Sequence, residues 1–94
     1  MRKVTLIKME GCPYCRNAFR AIDALKEEKP AYRHLDLEVI DENEQPELAG
    51  RYAAEYYYVP SLFIDGKKCY EAQPGQDYET IKNAVDEVFS SALE

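Results

Sequence analysis

The stretch Lys3-Val4-Thr5-Leu6-Ile7-Lys8-Met9-Glu10-Gly11-Cys12-Pro13-Tyr14-Cys15-Arg16-Asn17-Ala18-Phe19 carries the decisive change of period in this 94-residue chain. Lys3 to Met9 mixes Val4, Leu6 and Ile7 with Thr5 and reads as a strand that stops before Gly11. From Cys15 onward, Ala18, Phe19, Ile22 and Leu25 recur at helical spacing with Arg16, Asn17, Arg20, Asp23, Lys26 and Glu27 between them, and Pro30 limits the helix. Cys12 thus falls in an N-cap-like position. Pro13 falls at the first helical residue, where its missing N–H costs nothing.

That placement has chemical consequences. The free N–H groups of a first helical turn, including those of Tyr14 and Cys15, can point at the Cys12 sulfur, and the positive helix end favours a thiolate there. Cys12 is the expected nucleophile. Cys15, one turn further on and more shielded, is the expected resolving thiol for a mixed disulfide at Cys12. Lys8 and Arg16 add positive potential around the pair, and Glu10 works against them. Three cysteines cannot all pair within one chain, so a disulfide framework is not expected; in a reducing compartment a close pair is catalytic or metal-binding. One Cys-x-x-Cys is too few ligands for zinc or an iron–sulfur cluster, and neither Cys69 nor His34 supplies a second close pair, so no metal site is expected. A cluster shared between subunits stays open as a minor alternative.

Working outward, Ala31 to Val39 reads as a second strand. Asp41 to Glu47 is acidic and offers Asp41 and Asn43 as caps with Pro46 in a first turn, so a second helix is expected through Leu48, Tyr52, Ala53 and Tyr56, ending at Val59-Pro60. Ser61 to Ile64 is a short apolar strand, Asp65-Gly66 a hairpin signal, and Lys68 to Glu71 the returning strand. Ile81, Ala84, Val85, Val88, Phe89 and Ala92 place an amphipathic helix from near Asp77 to the end. The order β-α-β-α-β-β-α makes an α/β fold with a four-stranded mixed sheet, because a crossover helix makes the first two strands parallel and a tight turn makes the last two antiparallel. Helices are expected on both faces of the sheet.

Residues 1–94 are read as one domain, with 46% hydrophobic and 32% charged residues giving no support for disorder. The net charge of −6 repels phosphate backbones and anionic lipid, so neither nucleic acid nor a membrane is an expected partner. The apolar run before Lys8 is too short for a signal peptide and no stretch is long enough to span a bilayer, so a cytoplasmic location is expected. Cys69, in the returning strand, is expected to be a small buried hydrophobe, and His34 a structural or surface histidine. Tyr52 and Tyr56 share a helical face and are expected against the sheet, which leaves Tyr57 and Tyr58 to meet a partner.

Cys12-Pro13-Tyr14-Cys15 directly after a first strand, with Tyr58-Val59-Pro60 before a third, closely resembles the glutaredoxins of the thioredoxin superfamily, over nearly the whole chain. The resemblance implies a thioredoxin-like fold in which Pro60 is cis and faces the active site. It also implies that the backbone of Val59 pairs with the bound thiol substrate, and that Lys8 and Tyr14 contact glutathione, with Arg51 a loose further candidate. After the hairpin the pattern departs. Glutaredoxins usually place a Gly-Gly pair there, followed by a residue that holds the γ-glutamyl end of glutathione; this chain has Cys69-Tyr70-Glu71-Ala72-Gln73-Pro74-Gly75. A carboxylate at Glu71 is expected to repel those of glutathione.

The expected function is therefore a glutaredoxin-like thiol–disulfide oxidoreductase that reduces protein disulfides or glutathionylated proteins through Cys12 and Cys15. It needs no tightly bound cofactor, and glutathione is a candidate co-substrate. The alternatives are a small redoxin recharged by a thioredoxin-reductase-type enzyme and serving a client such as ribonucleotide reductase, or a noncatalytic redox sensor.

Overall fold

The computed structural model describes residues 2–94. Its elements run β1 (Lys3–Lys8), α1 (Pro13–Glu28), a 3-10 turn (Pro30–His34), β2 (Asp36–Asp41), α2 (Pro46–Gly50), β3 (Ser61–Ile64), β4 (Lys67–Glu71) and α3 (Tyr78–Ala92). The sheet order is β2-β1-β3-β4, with β1 parallel to β2 and antiparallel to β3, and β3 antiparallel to β4. This is the four-stranded mixed sheet expected from the element order.

Both central strands are buried on both faces, and the period of two divides their side chains between two cores. Val4 and Leu6 of β1 and Leu62 and Ile64 of β3 meet Ala18, Ile22 and Leu25 of α1 and Ile81, Val85 and Phe89 of α3. Ile7 and Phe63 point the other way, toward Ile40, Ala49 and the ring of Tyr52, whose centroid lies 4.6 Å from that of Phe63. The long helices α1 and α3 therefore share one face, and the short α2 with the chain after it covers the other. Val59–Pro60 is cis, as the resemblance implied. Asp65 and Gly66 both take positive φ, 49° and 85°, the paired left-handed conformation that a two-residue hairpin requires.

Three sequence expectations are corrected. Residues 31–34 are not strand: Pro30 opens a 3-10 turn that buries Tyr32 edge-on against Phe89 at 5.4 Å, and its hydroxyl donates to Asp86 Oδ1. That tertiary contact overrides the alternation read from residues 31–39. The second helix stops at Gly50, beyond which the N–H of Tyr52 donates to Ala49 and that of Glu55 to Tyr52 in tighter i to i+3 turns. Neither Asp41 nor Asn43 caps it; Gln45 is the N-cap, while Asp41 Oδ1 accepts from the N–H groups of Asn43 and Glu44. Tyr52 and Tyr56 still pack on Phe63, as their spacing predicted. Finally, Cys69 is exposed. Leu62 pairs with Tyr70 and Phe63 with Lys68, so Cys69 is the extra residue of a bulge on an edge strand and has no place in either core.

Candidate functional site

Several chain ends meet at one end of the sheet. The parallel strands β1 and β2 finish there at Lys8 and Asp41, β3 begins there at Ser61 opposite Ile7, and β4 finishes there at Glu71 opposite Ser61. The connection from β1 into α1 and the loop leading into β3 are thereby brought side by side. Cys12 and Cys15 come from the first, Val59 and Pro60 from the second.

Cys12 is the N-cap of α1 and Pro13 its first residue, so the sulfur stands where a helix has unpaired N–H groups. The N–H of Cys15 donates to Cys12 Sγ at 3.2 Å. The Cys12 thiol donates in turn to the carbonyl of Val59 at 3.6 Å, which joins the helix end to the loop before Pro60. Cys12 is 9% exposed and Cys15 3%, both as free thiols, so Cys12 is the outer sulfur and Cys15 the inner. Cys12 lines a surface depression of about 210 Å³ together with Lys8, Gly11, Cys15, Arg16 and Phe19. Burial pushes the Cys15 thiol up to about 12, and its hydrogen bond with Cys12 adds to the effect. Cys15 therefore keeps its proton at neutral pH.

Lys8, Tyr14, Tyr57 and Tyr58 are also at this end, with partners of their own. Lys8 Nζ pairs with Asp41 Oδ2 at 3.0 Å and Glu10 Oε2 at 3.6 Å; the hydrogen bond that it donates to Asp41 holds its ammonium above the usual range, and the same bond holds the Asp41 carboxyl below its own. The Tyr14 hydroxyl accepts from the N–H of Gly75 at 2.7 Å, and its ring packs on the larger core. Arg51 is exposed at the end of α2. Tyr57, 82% exposed, and Tyr58 stack edge to face at 4.8 Å immediately before Val59.

Glu71 has a place at this site that the sequence did not show. Its carboxylate does not face outward: Oε2 accepts from the N–H groups of Tyr57 and Tyr58 at 2.7 and 2.6 Å, and Oε1 accepts from Lys68 Nζ at 2.8 Å. The hydrogen bond from Lys68, followed by the two backbone N–H groups, lowers its carboxyl to about 2. The hydroxyl of Ser61 donates to the carbonyl of Tyr58 at 2.6 Å, and the N–H of Ala72 to that of Pro60 at 3.0 Å. No local signal in residues 57–71 points to the two bonds from Tyr57 and Tyr58 to Glu71, which join residues 14 and 13 positions apart through a side chain.

The sheet order, the cis Val59–Pro60 bond and the dithiol at the start of α1 define a thioredoxin-fold protein. Residues 3–87 match the model of the glutaredoxin-like domain (DUF836), and the chain belongs to that family. Among solved structures, it is similar to thioredoxin 1 from the thermophilic eubacterium Thermosipho africanus TCF52B, at 17% identity and a TM-score of 0.58, covering 98% of this chain and 99% of that one. It is also similar to the zinc-bound form of human ERp44, at 18% identity and a TM-score of 0.57; 94% of this chain is covered but only 26% of ERp44, so it spans about a quarter of that protein's length. Likeness at this identity speaks for the fold. No curated protein sequence matches the chain. Fold and family together point to redox chemistry of the thiol kind.

Proposed function

We propose that the protein is a thiol–disulfide oxidoreductase that reduces protein disulfides or mixed disulfides through Cys12 and Cys15. The observation that carries the reading is the Cys15 N–H at 3.2 Å from Cys12 Sγ, with the second thiol buried directly behind. A backbone donor that stabilises sulfur charge at a helix start is the arrangement an attacking thiolate needs.

In the first step the Cys12 thiolate attacks one sulfur of the target disulfide. That S–S bond breaks, a Cys12–target disulfide forms, and the departing thiolate takes a proton from solvent. Cys15 then gives up its proton and attacks the Cys12 sulfur, the second target sulfur leaves and is protonated, and the Cys12–Cys15 disulfide retains the oxidation. Burial and the hydrogen bond with Cys12 both hold the proton on Cys15 in the resting protein. Once Cys12 is part of a disulfide it carries no charge, so the second of these holds disappears at the step that needs the proton gone.

Two electrons and two protons must return from a donor, either two glutathione thiols or the dithiol of a thioredoxin-reductase-type flavoenzyme. The bond from Gly75 to Tyr14 and the inward carboxylate of Glu71 favour the flavoenzyme, because both tie down the segment where the resemblance would put the γ-glutamyl end of glutathione. A reducing compartment such as the cytoplasm suits a resting dithiol. We expect neither nucleic acid nor a membrane surface as partner, in keeping with a net charge of −6.

Following NADPH consumption by the oxidised protein tests the donor, first with glutathione and its reductase and then with thioredoxin reductase alone. The system that restores the thiols is the donor. Many equivalents of disulfide reduced per protein mark an enzyme, whereas a single stoichiometric oxidation marks a redox sensor and refutes the proposal.

A further inference from the structure

The loop that faces Cys12 has no regular secondary structure between the turns after α2 and the start of β3. It is held in place from β4. On one side Glu71 Oε2 takes the N–H groups of both Tyr57 and Tyr58; on the other, Ala72 donates its N–H to the carbonyl of Pro60. Ser61, at the start of β3, fixes the Tyr58 carbonyl. Val59, between these anchors, turns its carbonyl to the Cys12 sulfur at 3.6 Å, and its own N–H has no partner among the described residues. The backbone that flanks the reactive sulfur is therefore positioned by a side chain that touches neither sulfur.

We propose that Glu71 is a positioning residue: its carboxylate fixes residues 57–58 so that Val59 presents its free backbone N–H beside Cys12 to a segment of a disulfide-bonded protein. This role rests on the oxidoreductase reading. The chemistry asks for a carboxylate in particular. One oxygen accepts two N–H groups while the other meets the Lys68 ammonium, and only an ionised acid offers acceptors on both oxygens. Glutamine can keep the amide-facing oxygen but must turn its NH2 toward Lys68, and alanine keeps nothing. The Ala72 and Ser61 bonds survive either change, so the fold is retained while the loop loosens.

The test compares wild type, Glu71→Gln and Glu71→Ala in steady-state reduction of a disulfide-bonded protein substrate such as insulin, and in alkylation of reduced Cys12 by iodoacetamide, a reagent that has no chain to pair with Val59. Losing two charge-assisted hydrogen bonds that order a binding loop should raise KM about tenfold in Glu71→Ala and about threefold in Glu71→Gln, with kcat within about twofold. The alkylation rate should stay within about twofold, since the Cys15 N–H still holds the sulfur. Amide exchange at Tyr57 and Tyr58 should quicken in Glu71→Ala while that of β1 does not. An unchanged KM, unchanged exchange at Tyr57 and Tyr58, or a fall in kcat and alkylation as large as the fall in kcat/KM would overturn the proposal. A wild type that reduces no disulfide with any donor would instead overturn the oxidoreductase reading itself, and is recognised without a variant.

Discussion

The two walls around Cys12 are built differently. The wall formed by α1 is local: Gly11 to Cys15 are contiguous, and the bond that matters spans three residues, from the Cys15 N–H to Cys12 Sγ. The wall formed by residues 57–60 is borrowed, since it hangs chiefly from one side chain of β4, that of Glu71, which lies 13 positions beyond Tyr58. A local wall is fixed as soon as the helix forms. A borrowed wall exists only when the sheet has assembled, and it can be loosened without unfolding the molecule.

The harshest way to break the comparison is to remove the sulfur that both walls address. Cys12→Ser should abolish disulfide reduction altogether, because a hydroxyl at this site stays protonated at neutral pH and is a poor nucleophile. Residual turnover above background in an insulin reduction assay would refute the role given to Cys12. Cys15→Ser leaves both walls intact and should accumulate the mixed disulfide with a protein substrate, visible as an added mass on non-reducing electrophoresis. If glutathione is used at all, that variant should still reduce glutathionylated thiols.

The borrowed wall has a signature in acid. Glu71 is held at about 2, against an ordinary 4.5, chiefly by Lys68 and then by the two amides. A carboxyl lowered on folding adds stability that is fully present above about pH 5 and is lost as the pH falls through about 2. Glu71→Gln lacks this increment. The stability gap between wild type and variant, read from urea unfolding, should be on the order of 1.5–3 kcal/mol at pH 7 and shrink steadily below about pH 4.5. A gap that does not change with pH would mean that the charge on Glu71 plays no part in holding the loop.

The same division explains what could be read in the sequence. The first strand, the position of Cys12 at the start of α1, the Asp65-Gly66 turn and the helix from Asp77 are local patterns, and all are found. The misreadings are non-local. Residues 31–34 lost their strand to a contact between Tyr32 and Phe89, 57 positions away, and Cys69 lost its burial to a register shift that depends on how β3 meets β4. Glu71 was expected to repel the carboxylates of glutathione, and its bonds to the backbone N–H groups of Tyr57 and Tyr58 leave no mark in the sequence. The cis state of Pro60 came from the resemblance alone, as an X-Pro bond by itself is cis only about 5% of the time.

Ser61 offers a finer cut within the borrowed wall. Its hydroxyl donates to the Tyr58 carbonyl, one residue from Val59, yet it is uncharged and fully buried. Ser61→Ala should cost about 1 kcal/mol of stability, the net worth of one neutral bond. It should raise KM less than Glu71→Ala does, because the two amides remain clamped. A larger effect than Glu71→Ala would reassign the main anchor to Ser61.

The smallest expected effect concerns the point where the local wall reaches across to the rest of the molecule. Tyr14 belongs to α1, but its hydroxyl accepts the N–H of Gly75 in the segment between β4 and α3. Gly75 takes a φ of 90°, a left-handed conformation that glycine adopts at little cost, so the segment does not need this bond to keep its turn. Tyr14→Phe keeps the ring in the core and removes only the acceptor. Because the Gly75 N–H is exposed and water can take over the bond, the loss should be about 0.5 kcal/mol, with disulfide reduction unchanged. The informative quantity is glutathione dependence: if the bond closes the segment against glutathione, Tyr14→Phe should quicken recharging by glutathione relative to a flavoenzyme donor. If recharging by glutathione slows instead, Tyr14 contacts that molecule directly, and the hydroxyl is shared between the segment and the co-substrate.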